Sequence, residues 1–195
     1  MFRPRLAIVA PVAALALGGC GVNTIPTAEE AAKARWADVQ NEYQRRSDLI
    51  PNLVSTVKGY ARQEQDVLVK VTQARAAAGS VTLSADQLSD PNAVRRFSEA
   101  QGQLSSALVP FRQLQEAYPD LKSNANFMAL QSQLEGTENR ITIARRDYNE
   151  AVQAYNTRIR TFPDAIGAKV FYGAKPMVPF EATTPNAQTA PTVTF

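Results

Sequence analysis

The sequence contains no histidine and only one cysteine, Cys20. The absence of histidine excludes a Ser–His–Asp triad, histidine-based acid–base catalysis and the usual histidine ligands of zinc. A single cysteine excludes an intramolecular disulfide. The nine glycines are scattered and form no glycine-rich phosphate-binding loop. The composition therefore predicts no metal site, no cofactor and no enzymatic activity.

A strong charge of either sign is also missing. The chain has 21 basic and 18 acidic residues, and loss of Arg3 and Arg5 with an N-terminal signal would leave 19 against 18. The sequence pI of about 9.1 therefore owes much to that signal. The chain has no run of Lys and Arg like those of nucleic-acid-binding arms, so we expect no nucleic acid partner.

The N-terminal apolar run is too short to cross a membrane. Residues 6–17 are apolar but number twelve and include Pro11, whereas a spanning helix needs about 20. Two arginines precede this run and two glycines and Cys20 follow it, which is the order of a secretory signal. The pattern resembles the bacterial lipobox, which implies cleavage before Cys20 and its acylation. An ordinary cleaved signal and an uncleaved anchor are the alternatives.

These features predict the organisation and location of the chain. Two acyl chains on Cys20 are enough for stable attachment, so membrane lipid is the first expected partner. The predicted location is the bacterial cell envelope. In an organism with two membranes it is the inner leaflet of the outer membrane, because Gly21 rather than aspartate follows Cys20. The predicted parts are a signal peptide over 1–19, a tether over 20–27, a helical body over 28–172 and a proline-rich extended tail over 173–195.

The body has a sustained seven-residue repeat of apolar and aromatic residues. Such a repeat puts one stripe on each helix and favours left-handed, nearly parallel packing. Pro51 either kinks the first helix or starts a new one, and a division there gives four segments. The predicted fold is therefore all-α, an elongated antiparallel four-helix bundle with an up-and-down arrangement. The stripes are Trp36, Tyr43, Ile50, Val57, Glu64 and Val71, then Phe97, Leu104, Phe111 and Tyr118, then Phe127, Leu134, Ile141, Tyr148 and Tyr155.

Two charged residues occupy positions in the repeat: Glu64 lies in the first stripe, and Arg46 lies in a second row that runs three residues behind it. A buried charge is costly unless it is paired. We hypothesise that Glu64, like Arg46, forms an internal salt bridge that fixes the helix register, with Arg96, Arg140 or Arg145 as its partner. The alternative is that the bundle opens there and water solvates Glu64.

A carboxylate pair is the remaining candidate for chemistry. Glu135 and Glu138 lie three residues apart, and a glycosidase needs only two carboxylates. On a long polar helix face, however, this spacing is typical of solvated surface.

The C-terminal segment 190–195, "APTVTF", is a candidate recognition element. Val193 and Phe195 alternate with threonines, as in a short strand. Such a segment could pair with the sheet edge of a partner protein. Folding back on the bundle and fraying are the alternatives.

Three stretches are similar to the LemA family: "RRSDLIPNLVSTVKGYARQE" (45–64), "EAYPDLKSNANFMALQSQLEGTENRITIARRDYNEAVQAYNTRIRTFP" (116–163) and "APTVTF" (190–195). The resemblance implies a membrane-anchored helical bundle and transfers no catalytic residue. It also implies a membrane protein partner, because gene neighbourhood links the family to membrane peptidases and TPM-domain proteins and one branch to magnetosome membranes. A second copy of the chain is a further candidate partner. Most members carry a membrane-spanning N-terminal helix where this chain has the lipobox pattern.

Three functions remain open. The first, which we favour, is a non-catalytic envelope lipoprotein whose bundle acts as a scaffold or adaptor for membrane protein complexes. The second is a protein that binds and organises membrane lipid. The third is a carboxylate-based envelope hydrolase.

Overall fold

The computed structural model describes residues 23–61 and 63–181 and shows an all-α fold. This part of the chain contains no strand, which confirms the predicted fold class. Short helical turns occur at Ala85–Ser89, Pro119–Lys122, Asp164–Gly167 and Ala168–Tyr172. The four long helices are α1 (Thr24–Tyr60), α2 (Gln65–Ser80), α3 (Pro91–Ala117) and α4 (Ala125–Arg158).

The four helices run up and down, as predicted. α1 packs along α4 in the opposite direction: Trp36 contacts Tyr148 near one end, and Tyr60 accepts a hydrogen bond from Asn124 at the other. α2 and α3 pack against each other and also run in opposite directions. With a rise of about 1.5 Å per residue, the 37 residues of α1 make the molecule a rod roughly 54 Å long.

Two of the long helices begin with a side-chain cap. The Asp90 side chain accepts a hydrogen bond from the Asn92 N–H at 2.9 Å, and Pro91 occupies the first turn of α3, where no N–H is needed. The Asn124 side chain accepts from the Phe127 N–H at 2.9 Å and caps α4.

The core consists of two apolar halves. The first half holds Trp36, Phe97 and Phe180, with ring centroids 5.3 to 6.4 Å apart. The second half, nearer the α1–α2 turn, holds Ile50, Leu53, Leu104, Phe111, Phe127 and Leu134.

Of the two alternatives for Pro51, the start of a new helix is wrong. α1 continues through Pro51, which is exposed. Proline has no N–H to donate to the Ser47 carbonyl, but the Arg75 Nε of α2 donates to that carbonyl at 2.8 Å. The chain reverses between the end of α1 at Tyr60 and the start of α2 at Gln65 instead.

The helical body begins earlier than predicted, and the segment after it packs on the bundle. α1 begins at Thr24, inside the predicted tether, and Ile25 is buried. At the other end, 174–181 packs on the bundle because Met177 and Phe180 fill the first core half. We call 174–181 the strap. Residues 1–22 and 182–195 lie outside the described residues.

Two asparagines hold the strap against α4. Asn156 donates to the Met177 carbonyl at 2.8 Å and accepts from its N–H at 2.9 Å, and Asn149 does the same with Phe180 at 2.9 and 2.8 Å. Seven helical residues advance about 10.5 Å and three extended residues about 10 Å. A spacing of seven on α4 therefore matches a spacing of three on the strap.

Two tyrosines of α4, each one residue before one of these asparagines, bind the strap with the same spacing of seven residues to three. Tyr148 donates to the Val178 carbonyl and Tyr155 to the Lys175 carbonyl, both at 3.1 Å. Burial raises the pKa of both hydroxyls above the ordinary value. The heptad stripe of α4 thus holds the strap as well as packing on α1.

Candidate functional site

A buried arginine lies between the two core halves. Arg46 is 1% exposed, and its guanidinium donates to Ser105 Oγ at 2.8 Å and to Glu138 Oε1 at 3.2 Å. It also donates to the backbone and side-chain oxygens of Gln101. The guanidinium lies over the Tyr43 ring, 5.0 Å from its centroid. We call Arg46, Gln101, Ser105 and Glu138 the Arg46 layer.

The Arg46 layer connects all four long helices. Arg46 belongs to α1, Gln101 and Ser105 to α3, and Glu138 to α4, while the Gln101 amide donates to the Ala78 carbonyl of α2 at 3.4 Å. Displacing one helix by a turn would move its partners about 5 Å away and leave a buried charge unsatisfied. The layer therefore selects one helix register.

A polar groove between α3 and α4 opens onto this layer. Its volume is about 600 Å³, and its wall includes Ser98, Thr142 and Arg145 together with the Arg46 layer. Within the described part of the chain, nothing accepts a hydrogen bond from the Arg46 Nε, although this atom is buried. Burial raises the pKa of the Tyr43 hydroxyl, which also lines the groove, and the nearby Arg145 and Arg46 charges oppose that rise.

The pairing predicted for Glu64 is wrong. Glu64 lies in the turn between α1 and α2, partly exposed, and accepts a hydrogen bond from the Tyr118 hydroxyl at 3.1 Å, which raises the pKa of that hydroxyl. Tyr118 lies thirteen residues beyond Ser105 along α3, so Glu64 and Arg46 are roughly 20 Å apart. Because the chain reverses at this turn, the stripe position does not bury Glu64.

The other arginines named as partners of Glu64 also lie elsewhere. Arg96 and Arg140 are exposed. Arg145 donates to the Glu181 carbonyl at 2.8 Å and lies over the Phe180 ring, 4.9 Å from its centroid. Arg145 therefore holds the end of the strap.

The carboxylate pair does not form a joint site. Glu135 is exposed and accepts a hydrogen bond from Gln131, whereas Glu138 accepts one from Arg46. The sequence contained a signal for the Arg46–Glu138 pair that we missed: Glu138 lies one turn after the stripe residue Leu134.

Three predicted sites fall outside the described residues. They are Cys20, the predicted lipidation site, and Val193 and Phe195 of the C-terminal segment. Within 23–61 and 63–181, no cluster of three or more Asp, Glu, His or Cys residues is arranged to bind a metal ion. In those same ranges, no helix combines the length and apolarity that crossing a bilayer requires.

A second groove lies between α1 and α2 near their connecting turn. Its volume is about 840 Å³, and apolar Val54, Leu68 and Val69 line it together with Lys58 and Gln73. The Val69 side chain is 50% exposed. We call this the distal groove, because it lies at the end of the rod away from Asn23.

The comparison with protein families agrees with the all-α fold. A family model described as LemA family covers residues 35–195. The chain belongs to the LemA family. This confirms the resemblance seen in the sequence, while the lipoprotein form stays a prediction because Cys20 precedes the described residues.

Three curated relatives share about a quarter of their aligned residues with this chain. Magnetosome protein MamQ 2 of Paramagnetospirillum magneticum is 25% identical over 174 residues, which is 81% of this chain and 63% of that protein. Magnetosome protein MamQ of Magnetospirillum gryphiswaldense is 24% identical over 157 residues, 72% of this chain and 58% of that protein. Protein LemA of Metamycoplasma hominis is 24% identical over 124 residues, 64% of this chain and 52% of that protein. The chain thus spans less than two thirds of the length of these relatives.

Proposed function

We propose that this LemA family protein is a non-catalytic envelope lipoprotein, anchored through Cys20, whose rod acts as a scaffold or adaptor for a membrane protein complex. The observation that carries the proposal is that the buried polar side chains form hydrogen bonds between parts of the rod. Arg46 and Glu138 bind across the bundle, and Tyr148 and Asn149 bind the strap. Polar groups that could serve chemistry hold the rod together instead.

Family membership supports a membrane setting for this rod. Two of the relatives are named magnetosome proteins, and that name describes those two proteins and not this chain. The N-terminal apolar run of this chain supports membrane attachment independently. A membrane peptidase or a TPM-domain protein is the partner class that we propose.

The distal groove is the surface that we assign to the partner. It is lined by Val54, Leu68 and Val69. An anchored scaffold needs a contact surface within reach of a neighbouring complex, and exposed apolar grooves are typical of such surfaces.

Site-specific photo-crosslinking in cells tests the scaffold role. Valine positions 69 and 109 are matched, because both side chains are 50% exposed and only Val69 lines the distal groove. We expect a crosslinker at position 69 to give one reproducible membrane-protein adduct, and a crosslinker at position 109 to give none. Equal adduct patterns at the two positions would exclude a partner at the distal groove.

Anchoring needs its own test. Metabolic labelling with a palmitate analogue should mark the wild-type chain and not Cys20→Ser, and Cys20→Ser should leave the membrane fraction. A labelled Cys20→Ser chain, or an unlabelled wild type, would refute the lipoprotein form. Lipid adducts alone at both crosslinking positions would favour the alternative function, organisation of membrane lipid.

A further inference from the structure

One end of the rod exposes large apolar side chains. Phe162 is 82% exposed, Phe171 71%, Val170 67% and Ile166 58%. Single exposed apolar residues are ordinary, but four large ones within ten residues form a patch of the kind that marks a contact surface. We call residues 162–171 the apolar end.

The apolar end lies beside the start of α1. The Thr24 hydroxyl donates to Asp164 Oδ2 at 3.1 Å, and the Ile25 side chain packs beside Gly167. Cys20 lies four positions before Thr24, and four extended residues span at most about 14 Å. Attachment through Cys20, or through the apolar run before it, therefore holds this end close to the bilayer.

The charge around the apolar end suits a phospholipid surface. Residues 158–175 include four basic residues and one acidic residue, Asp164. Asp164 is neutralised by Arg158, whose guanidinium lies 3.4 Å from its carboxylate. Arg160, Lys169 and Lys175 are exposed. Aromatic and aliphatic side chains next to exposed cations are typical of segments that lie in the membrane interface and contact anionic headgroups.

We propose that the apolar end inserts into the interfacial region of the phospholipid bilayer and thereby holds the rod upright on the membrane. The inference rests on the membrane attachment in the proposed function and adds the surface that contacts lipid. Lipid is the occupant because the short link to the anchor keeps the apolar end at the bilayer.

Photo-crosslinking of the full chain in membranes from the expressing cells tests this contact. A benzophenone amino acid replaces Phe171 in one variant and Phe162 in a second. The matched control places the same amino acid at Met128, an apolar residue that is 44% exposed at the opposite end of the rod. We expect phospholipid adducts, identified by mass, at positions 171 and 162 in yields at least about tenfold above those at position 128.

Fractionation of the same samples separates this inference from the anchoring. If the chain is in the membrane fraction but positions 171 and 162 yield protein adducts, or lipid adducts no more abundant than at position 128, the apolar end does not insert and the inference is overturned, although the anchoring stands. If the chain is in the soluble fraction, the anchoring itself fails and the inference fails with it.

Discussion

At the scale of single residues, Arg46 combines a high cost of burial with a specific set of partners. A buried ion pair contributes little net stability compared with an apolar pair of the same shape, but removal of one partner is costly because the other remains buried. Arg46 is 1% exposed and Glu138 is 24% exposed. The layer is therefore better explained as a selector of register than as a source of stability.

Arg46→Met should lower the free energy of unfolding by about 2 to 4 kcal/mol, because Gln101 and Glu138 lose their donor inside the bundle. Urea denaturation measures this change. The matched control is Arg95→Met on α3, where the arginine is 69% exposed and its replacement should change the value by less than about 0.5 kcal/mol. Equal effects of the two substitutions would contradict the importance of the buried layer.

Tyr148 gives the fold a defined sensitivity to alkaline pH. Burial raises its pKa above the ordinary value of 10.0. A raised folded-state pKa means that stability is complete below pH 10 and is lost as the pH rises, since the hydroxyl ionises more readily in the unfolded chain. Between pH 8 and pH 11, wild type should lose about 1 kcal/mol more stability than Tyr148→Phe. Parallel pH profiles for the two proteins would show that the hydroxyl is not buried as described.

At the scale of elements, α1 tolerates an internal proline because another helix compensates for the missing N–H. Pro51 leaves the Ser47 carbonyl without its partner within the helix, and Arg75 of α2 donates to that carbonyl at 2.8 Å. The proline therefore creates a bond between α1 and α2.

A double-mutant cycle tests this coupling. Arg75→Met should cost about 1 to 2 kcal/mol in wild type, because the Ser47 carbonyl loses its donor. In the Pro51→Ala background the cost should fall by at least about 0.5 kcal/mol, since the restored N–H at position 51 bonds the same carbonyl. Additive effects in denaturant unfolding would argue against the compensation.

The strap depends on side-chain amides that substitute for a neighbouring strand. Asn149→Ala together with Asn156→Ala should speed hydrogen exchange of the Phe180 and Met177 amides by about tenfold or more, because those N–H groups donate to the two side chains. Gln153→Ala, at an exposed position of α4 between the two asparagines, should leave both rates unchanged. Exchange that is unaffected by the double substitution would mean that packing of Phe180 and Met177 alone holds the strap.

At the scale of the whole molecule, the rod has two different ends. The apolar end lies beside the start of α1, and the distal groove lies near the α1–α2 turn. Anchoring at one end and partner contact at the other would hold a partner at a set height above the membrane.

This arrangement predicts a distance. A dye attached through Met128→Cys should lie about 50 Å from the headgroup plane, given the helix rise and the position of Met128 opposite the end of α1. Energy transfer to acceptor lipids in vesicles that carry the acylated chain measures this height. A distance under about 20 Å would show that the rod lies flat on the membrane.

Much of the element-level structure was predictable because it depends on local spacing. The seven-residue repeat encodes helices and their buried faces wherever the helix continues, and the caps at Asp90 and Asn124 are local as well. The partner of Arg46 was not predicted, because the pairing of α1 with α4 depends on where the chain reverses. The same dependence explains the error at Glu64, since the repeat in the sequence continues without interruption from α1 into α2.

The sequence alone determined the all-α class, the bundle of long heptad-patterned helices, the absence of histidine and thiol chemistry from the body, and the family. These depend on composition and on periodicities of a few residues. Only the tertiary structure decided the register through Arg46 and Glu138, the continuity of α1 across Pro51, the packing of the strap and the exposure of the apolar end. Each of these depends on which distant side chains supply or withhold a hydrogen-bond partner or apolar cover. That is decided by the packing of segments up to 140 residues apart in the sequence.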